Sequence, residues 1–154
     1  MKVTGVRTKA YEIELTRPLG DANDPRGCTH LAMMAVFLDT DEGISGIAIS
    51  GPGAEKTIAG MVDGLIVGRD PRGVRGLWKR MVDQVFKGNN RGAVTGAIAA
   101  IDVALWDLKA KANNEPLWKT LGASTRYVKG YASDIGMNLS DEALGAFYTR
   151  LAKQ

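Results

Sequence analysis

The sequence predicts an α+β fold, a three-stranded antiparallel meander followed by a helical bundle, on three observations. The first fifty residues carry three strand-like segments, rich in β-branched, aromatic and apolar residues and separated by turn or loop chemistry. From Ala54 the apolar spacing changes to threes and fours, the period of helices. Strands and helices are thus segregated along the chain rather than interleaved, which excludes a βαβ repeat over this region.

Residues 3–15 open the meander, with Tyr11, Ile13 and Leu15 alternating with Glu12 and Glu14. Arg17-Pro18-Leu19-Gly20 stops that strand. A nearly continuous apolar run over residues 31–38 reads as a strand buried on both faces. Asp39-Thr40-Asp41-Glu42-Gly43 supplies turn chemistry, and residues 44–49 return. Between the first two strands, residues 18–30 form a polar loop longer than a hairpin requires, and long ordered loops often carry function.

Ile58, Met61, Val62, Leu65 and Ile66 mark a first helix, ended by Gly68-Arg69-Asp70-Pro71. Leu77, Met81, Val82 and Val85 mark a second, which closes near residues 88–90. Val94, Ile98, Ile101, Leu105, Leu108 and Ala112 form a single apolar stripe on a third helix, with Asp107 and Lys111 spaced to pair on its other side. Asn113-Asn114-Glu115-Pro116 breaks it, and a short helix runs to Leu121-Gly122. Residues 127–132 are expected to form a short strand. Ser140 followed by Asp141 and Glu142 is the start signal of a last helix through Leu144, Phe147, Tyr148 and Leu151.

Composition narrows the function classes. A 154-residue chain that is 45% hydrophobic and 24% charged can bury a core without staples. Its net charge of +3 is small and scattered, and basic residues are not interleaved with aromatics, so a nucleic-acid partner is not expected. No apolar run approaches the roughly 20 residues that span a bilayer, no signal peptide is visible, and Cys28 is the only cysteine; a cytoplasmic location with no membrane partner is expected.

Residues 97–122 read Ala-Ile-Ala-Ala-Ile-Asp-Val-Ala-Leu-Trp-Asp-Leu-Lys-Ala-Lys-Ala-Asn-Asn-Glu-Pro-Leu-Trp-Lys-Thr-Leu-Gly. This stretch resembles the signature helix of the mandelate racemase and muconate lactonizing enzymes of the enolase superfamily. The match is carried by Ala97, Ala99, Ala100, Ile101, Asp102, Ala104, Leu105, Asp107, Leu108, Ala110, Lys111, Pro116, Leu117, Leu121 and Gly122. Thr120 departs from the apolar residue usual there, which implies some lost packing. The meander, the Asp-Glu-Gly turn and the Gly-Arg-Asp-Pro link stand in the family's order, and Tyr131-Ala132-Ser133 is similar to its first barrel strand.

The resemblance implies a capping domain of the enolase N-terminal type over residues 1–122. It implies that residues 123–154 are the first strand and helix of a (β/α)₈ barrel, in a truncated chain. Such enzymes abstract a proton α to a carboxylate and stabilise the enediolate on magnesium held by three strand-end carboxylates. A barrel takes roughly 250 residues, so the magnesium ligands, the Lys-x-Lys pair and the His–Asp dyad are expected to be absent, leaving no catalytic or metal-binding residue here. Lys109-Ala110-Lys111 lies in the signature helix and is a decoy.

What the resemblance leaves to this segment is specificity. The loop after the first strand and residues 51–53 would fold over the barrel mouth. Arg26 is placed to clamp a carboxylate, His30 to hydrogen-bond hydroxyls, Asp21 and Asn23 to add polar contacts, and Leu19 to form an apolar wall. Ser133, at the end of the barrel strand, would project toward substrate. Cys28 and His30 alone cannot fill a metal's coordination shell. These polar residues favour a small-molecule carboxylate, an acid sugar or hydroxy acid, and hence a dehydratase before a racemase or cycloisomerase. A stand-alone, non-catalytic binding or oligomerisation module is the competing reading. A homo-oligomer is expected, because apolar surface made to face a barrel would otherwise be exposed.

Overall fold

In the computed structural model, which describes residues 1–87, 91–131 and 136–153, the core begins at the sheet. β1 (Val3–Leu19), β2 (Cys28–Thr40) and β3 (Ser45–Ser50) form a three-stranded antiparallel sheet in that order. The β2–β3 register runs from Met34 opposite Ser50 to Asp39 opposite Ser45. The turn between them forms where the Asp-Glu-Gly run predicts it: Gly43 adopts φ 74°, a backbone that favours glycine, and its N–H donates to Thr40 O at 3.2 Å.

Two strand expectations need correction. β1 and β2 run past the expected stop, so the loop between them shrinks to residues 20–27, and Leu19 and His30 stand in strands. β2 is not buried on both faces: Met34, Val36, Leu38 and Thr40 are buried, while the residues between them are partly exposed. Burial along residues 34–40 thus alternates, and the apolar run behaves as an alternating strand whose outer positions happen to be apolar.

Four helices follow in the first of two compact units, which comprises residues 1–11 and 32–126. α1 (Glu55–Met61) continues as a π-helical turn (Val62–Ile66), in which Val67 N–H reaches back to Val62 O at 2.9 Å. That wider turn sets both Val62 and Ile66 inside the core. α2 (Val74–Val85) contributes Val74, Leu77 and Met81; its expected close at residues 88–90 lies outside the described residues. α3 (Ala93–Ala112) is the spine, with Ile101, Leu105 and Leu108 fully buried. Its buried surface is broader than one stripe, because Ala97, Ala100 and Ala104 are buried as well.

The contact between α3 and β3 is unusually close. A Cβ on Gly46 would stand 2.1 Å from Ala104 O and 2.7 Å from Leu108 Cγ, so only glycine admits the helix there. Asp107 and Lys111 do pair, at 2.6 Å, but they also reach the sheet. Asp107 Oδ2 accepts from Ile47 N–H at 2.8 Å, and Lys111 Nζ donates to Ser45 O at 2.9 Å. The pair therefore occupies ladder positions on the outer edge of β3 that another strand would otherwise use. After α3, Asn114 takes φ 53° and α4 (Leu117–Thr120) follows. Thr120 Oγ1 donates to Glu115 Oε1 at 2.8 Å, so the departure from an apolar residue finds a polar partner.

The second unit comprises residues 12–31 and 127–154. α5 (Asp141–Leu151) starts as expected: Ser140 Oγ accepts from Ala143 N–H at 3.3 Å, with Asp141 and Glu142 in the first turn. The strand expected at residues 127–132 is not formed over 127–131, and Ala132 lies outside the described residues. Tyr127, Val128 and Tyr131 are 72%, 92% and 89% exposed. A strand requires a hydrogen-bonded neighbour, and none stands beside this segment among the described residues. Gly20 makes a parallel bridge to Gly136 instead.

Candidate functional site

The tip of the β1–β2 hairpin builds itself from one carboxylate. Asp21 Oδ1 accepts from Asn23 N–H at 2.8 Å and from Asp24 N–H at 3.0 Å. Asp24 O in turn accepts from Asp21 N–H at 3.1 Å and from Gly27 N–H at 3.0 Å. The amides of Asp24 and Asn23 hold the Asp21 carboxyl below the usual carboxylate range. Asp21 thus supports the loop by bonding its own backbone.

Arg26 follows this turn, exposed, with no hydrogen-bond or charge partner among the described residues. Asn23 is exposed beside the turn it helps to close. His30 is exposed on β2, its Nδ1 3.0 Å from Thr29 Oγ1. Leu19 is half-buried at the end of β1, where Asn138 Nδ2 donates to the neighbouring Pro18 O at 2.9 Å. Leu19, Asp21, Asn23, Arg26 and His30 therefore share the hairpin, whereas Ser133 lies outside the described residues. Residues 51–53 form an exposed turn in the first unit, with Gly53 N–H donating to Glu55 Oε1 at 3.2 Å.

Two further clusters escaped the sequence. Between α2 and α3 lies a cleft of about 470 Å³ lined by Val74, Arg75, Trp78, Lys79, Asp102 and Trp106. Burial pushes the Asp102 carboxyl up from its ordinary value. In the second unit, Arg17 and Arg150 both lie against Phe147, at 4.8 and 5.4 Å from the ring centre. The sequence signal for Arg17 was masked by Pro18, which marked the position as a strand end. Phe147 and Arg150 looked like the two faces of an ordinary amphipathic helix.

Among the described residues no three His, Cys, Asp or Glu side chains gather into a set that could hold a metal, so they do not fit a magnesium site. Lys109 lies over the Trp106 ring at 5.2 Å, and Lys111 Nζ donates to Ser45 O at 2.9 Å. No helix among the described residues is long and apolar enough to cross a membrane.

Meander and signature helix together define an α+β domain of the enolase N-terminal type. Residues 7–122 match the mandelate racemase / muconate lactonizing enzyme N-terminal domain, and the chain belongs to that family. It is 33% identical over 147 residues to a 3,6-anhydro-alpha-L-galactonate cycloisomerase of Streptomyces coelicolor, covering 87% of this chain and 38% of that protein. A D-mannonate dehydratase of Novosphingobium aromaticivorans is 33% identical over 131 residues, covering 78% of this chain and 32% of the relative. Among solved structures, a racemase from Streptomyces coelicolor with bound magnesium superposes with a TM-score of 0.82 at 28% identity, over 98% of this chain and 44% of that one. L-talarate/galactarate dehydratase from Salmonella typhimurium, at 22% identity and a TM-score of 0.74, shares the fold. The chain thus spans less than half the length of these proteins.

Proposed function

We propose that this chain is the capping, specificity-bearing portion of a magnesium-dependent enzyme that abstracts a proton α to a carboxylate, with acid-sugar dehydration as its reaction. Residues 1–122 serve as the capping domain and residues 123–154 as the opening segment of the barrel. The metal and the base belong to the barrel. Relatives named as dehydratases of mannonate and galactonate support the substrate class, since both compounds are polyhydroxylated carboxylates.

The observation that carries this reading is the hairpin tip. Its one inward carboxylate, Asp21, fixes the loop, and Arg26 is left as an exposed guanidinium on that fixed support. A planar fork held in this way suits a carboxylate better than a mobile lysine would. His30, on the adjacent strand, adds a ring that can serve hydroxyls.

Purified 1–154, mixed with magnesium and a panel of acid sugars, should give no binding heat and no turnover. The longer polypeptide that includes the barrel should dehydrate a member of that panel. In it, Arg26→Ala should lower kcat/KM about tenfold, the order expected for one charge-assisted hydrogen bond. Turnover by 1–154 alone would overturn the assignment of chemistry to the barrel. An unchanged kcat/KM in the variant would remove Arg26 from substrate recognition.

A further inference from the structure

The β1–β2 hairpin is tied, near its tip, to the turn that precedes α5. Gly20 makes a parallel bridge to Gly136, and Asn138 Nδ2 donates to Pro18 O at 2.9 Å. Asn138 also packs on the hairpin, since a Cβ on Gly20 would stand 3.2 Å from Asn138 Cβ. The same Cβ would stand 3.0 Å from Pro25 O, so Gly20 touches both Asn138 and the turn that leads to Arg26. Gly27, just after Arg26, adopts φ 81°, and a Cβ there would stand 2.9 Å from Leu19 C and 3.0 Å from Gly20 N. The backbone on either side of Arg26 therefore rests on Leu19 and Gly20. Asn138 brackets that pair by touching Pro18 and Gly20.

The turn that carries Asn138 is itself fixed. Leu139 N–H donates to Gly136 O at 2.9 Å, and Ser140 then caps α5. A Cβ on Gly136 would stand 2.6 Å from Leu144 Cδ1, so the turn lies directly on the helix. Asn138 Oδ1 is buried with no hydrogen-bond partner among the described residues. A buried acceptor left in this way costs free energy, so the amide stabilises the junction through its nitrogen alone. Asp21 sets the shape of the tip, and Asn138 sets where that shape is held.

We infer that Asn138 is a positioning residue. By holding Pro18 O and packing on Gly20 it fixes the place from which Arg26 meets the substrate carboxylate; this rests on the reading that Arg26 recognises that group. Asn138 acts through the hairpin and not on the substrate. Asn138→Ala keeps the Cβ contact with Gly20 and the Asp21 turn but removes the donor to Pro18 O, so the tip keeps its shape and loses its fixed place.

The test has two arms. In 1–154, amide nitrogen relaxation of residues 20–27 should show order parameters falling in Asn138→Ala from the roughly 0.85 of rigid backbone toward about 0.6, or new exchange on the millisecond timescale. Circular dichroism and relaxation in α5 should not change, since the lost hydrogen bond lies outside the helix. In the longer polypeptide that includes the barrel, Asn138→Ala should lower kcat/KM about two- to fivefold, the order of one neutral hydrogen bond. It should cost nothing further in the Arg26→Ala background, because two residues acting through one contact are not additive. A tip as rigid in Asn138→Ala as in the parent overturns the inference, and so do fully additive losses in the double variant. Should Arg26→Ala alone leave kcat/KM unchanged, the substrate role of Arg26 falls, and the relaxation arm still decides whether Asn138 holds the tip.

Discussion

Asp107 shows how one side chain can serve two elements. Its carboxylate joins Lys111 on the helix and the Ile47 N–H on the sheet edge. Asp107→Ala takes the acceptor from the Ile47 N–H and leaves Lys111 with Ser45 O alone, and should cost about 0.5–1.5 kcal/mol, the net worth of a typical hydrogen bond; urea unfolding of the variant measures it. A loss under half that range would show that water replaces the carboxylate on the edge. Asp102, on the same helix, behaves oppositely. Its carboxyl is pushed up by burial, so folding favours its protonated form, and its contribution is greatest below the unfolded pKa and lost as pH rises through the folded one. Asp102→Asn should therefore raise the melting temperature at neutral pH, with the gain shrinking in acid. The loop residues teach a different lesson. Asp21, Asn23 and Arg26 look alike in sequence as polar loop residues, but hydrogen bonding turns Asp21 onto the backbone and leaves Arg26 exposed. Sequence names the donors and acceptors, and only the folded path of the loop decides which of them meet.

At the scale of elements, α3 and β3 form the central contact of the first unit. Ile101 is fully buried on α3, and Ile101→Ala should cost about 2–4 kcal/mol as a large-to-small core change. A variant within half a kilocalorie of the parent in denaturant melts would place Ile101 outside the core. Gly46→Ala tests the close approach directly. Because the new methyl group meets backbone rather than a movable side chain, the helix must lift from the strand, and the melt should show a loss of about 1–3 kcal/mol. The helical spacing of Ile98, Ile101, Leu105 and Leu108 made this helix legible without coordinates. Its partner on β3 was not legible, since a glycine in a strand signals close approach without saying of what. The one-sided burial of β2 was hidden for a related reason: an apolar run cannot report which of its faces a neighbour covers.

For the whole molecule, acid should be the sensitive direction. The Arg72 guanidinium beside Asp70, with the Arg72 amide, draws the Asp70 carboxyl down to about 2, and Arg7, with Ser45, holds Asp39 below its ordinary range. A depressed folded pKa gives stability that is present above the unfolded value and lost as pH falls through the folded one. Stability should therefore decline from about pH 4 downward, and Asp39→Asn should flatten that limb. Retention of the full slope in the variant would assign it to other carboxylates. Association is the second molecular property open to test. With Tyr127, Val128 and Tyr131 exposed, light scattering should show concentration-dependent self-association of 1–154 that a chain ending at Gly122 lacks. A monodisperse monomer at high concentration would contradict it.

The sequence by itself determined the family, the α+β order of elements, the turn at Gly43, the cap at Ser140 and the identity of the helix that forms the spine. Each is set by neighbours within a few residues, where periodicity and turn chemistry act. Tertiary structure alone decided which face of β2 is covered, that Asp107 and Lys111 seal an edge strand, and that Arg17 and Arg150 both lie over the ring of Phe147. Those outcomes join residues up to 133 positions apart, taking Arg17 and Arg150 (150 minus 17), and no local pattern encodes a contact whose partner is supplied by a distant turn of the chain.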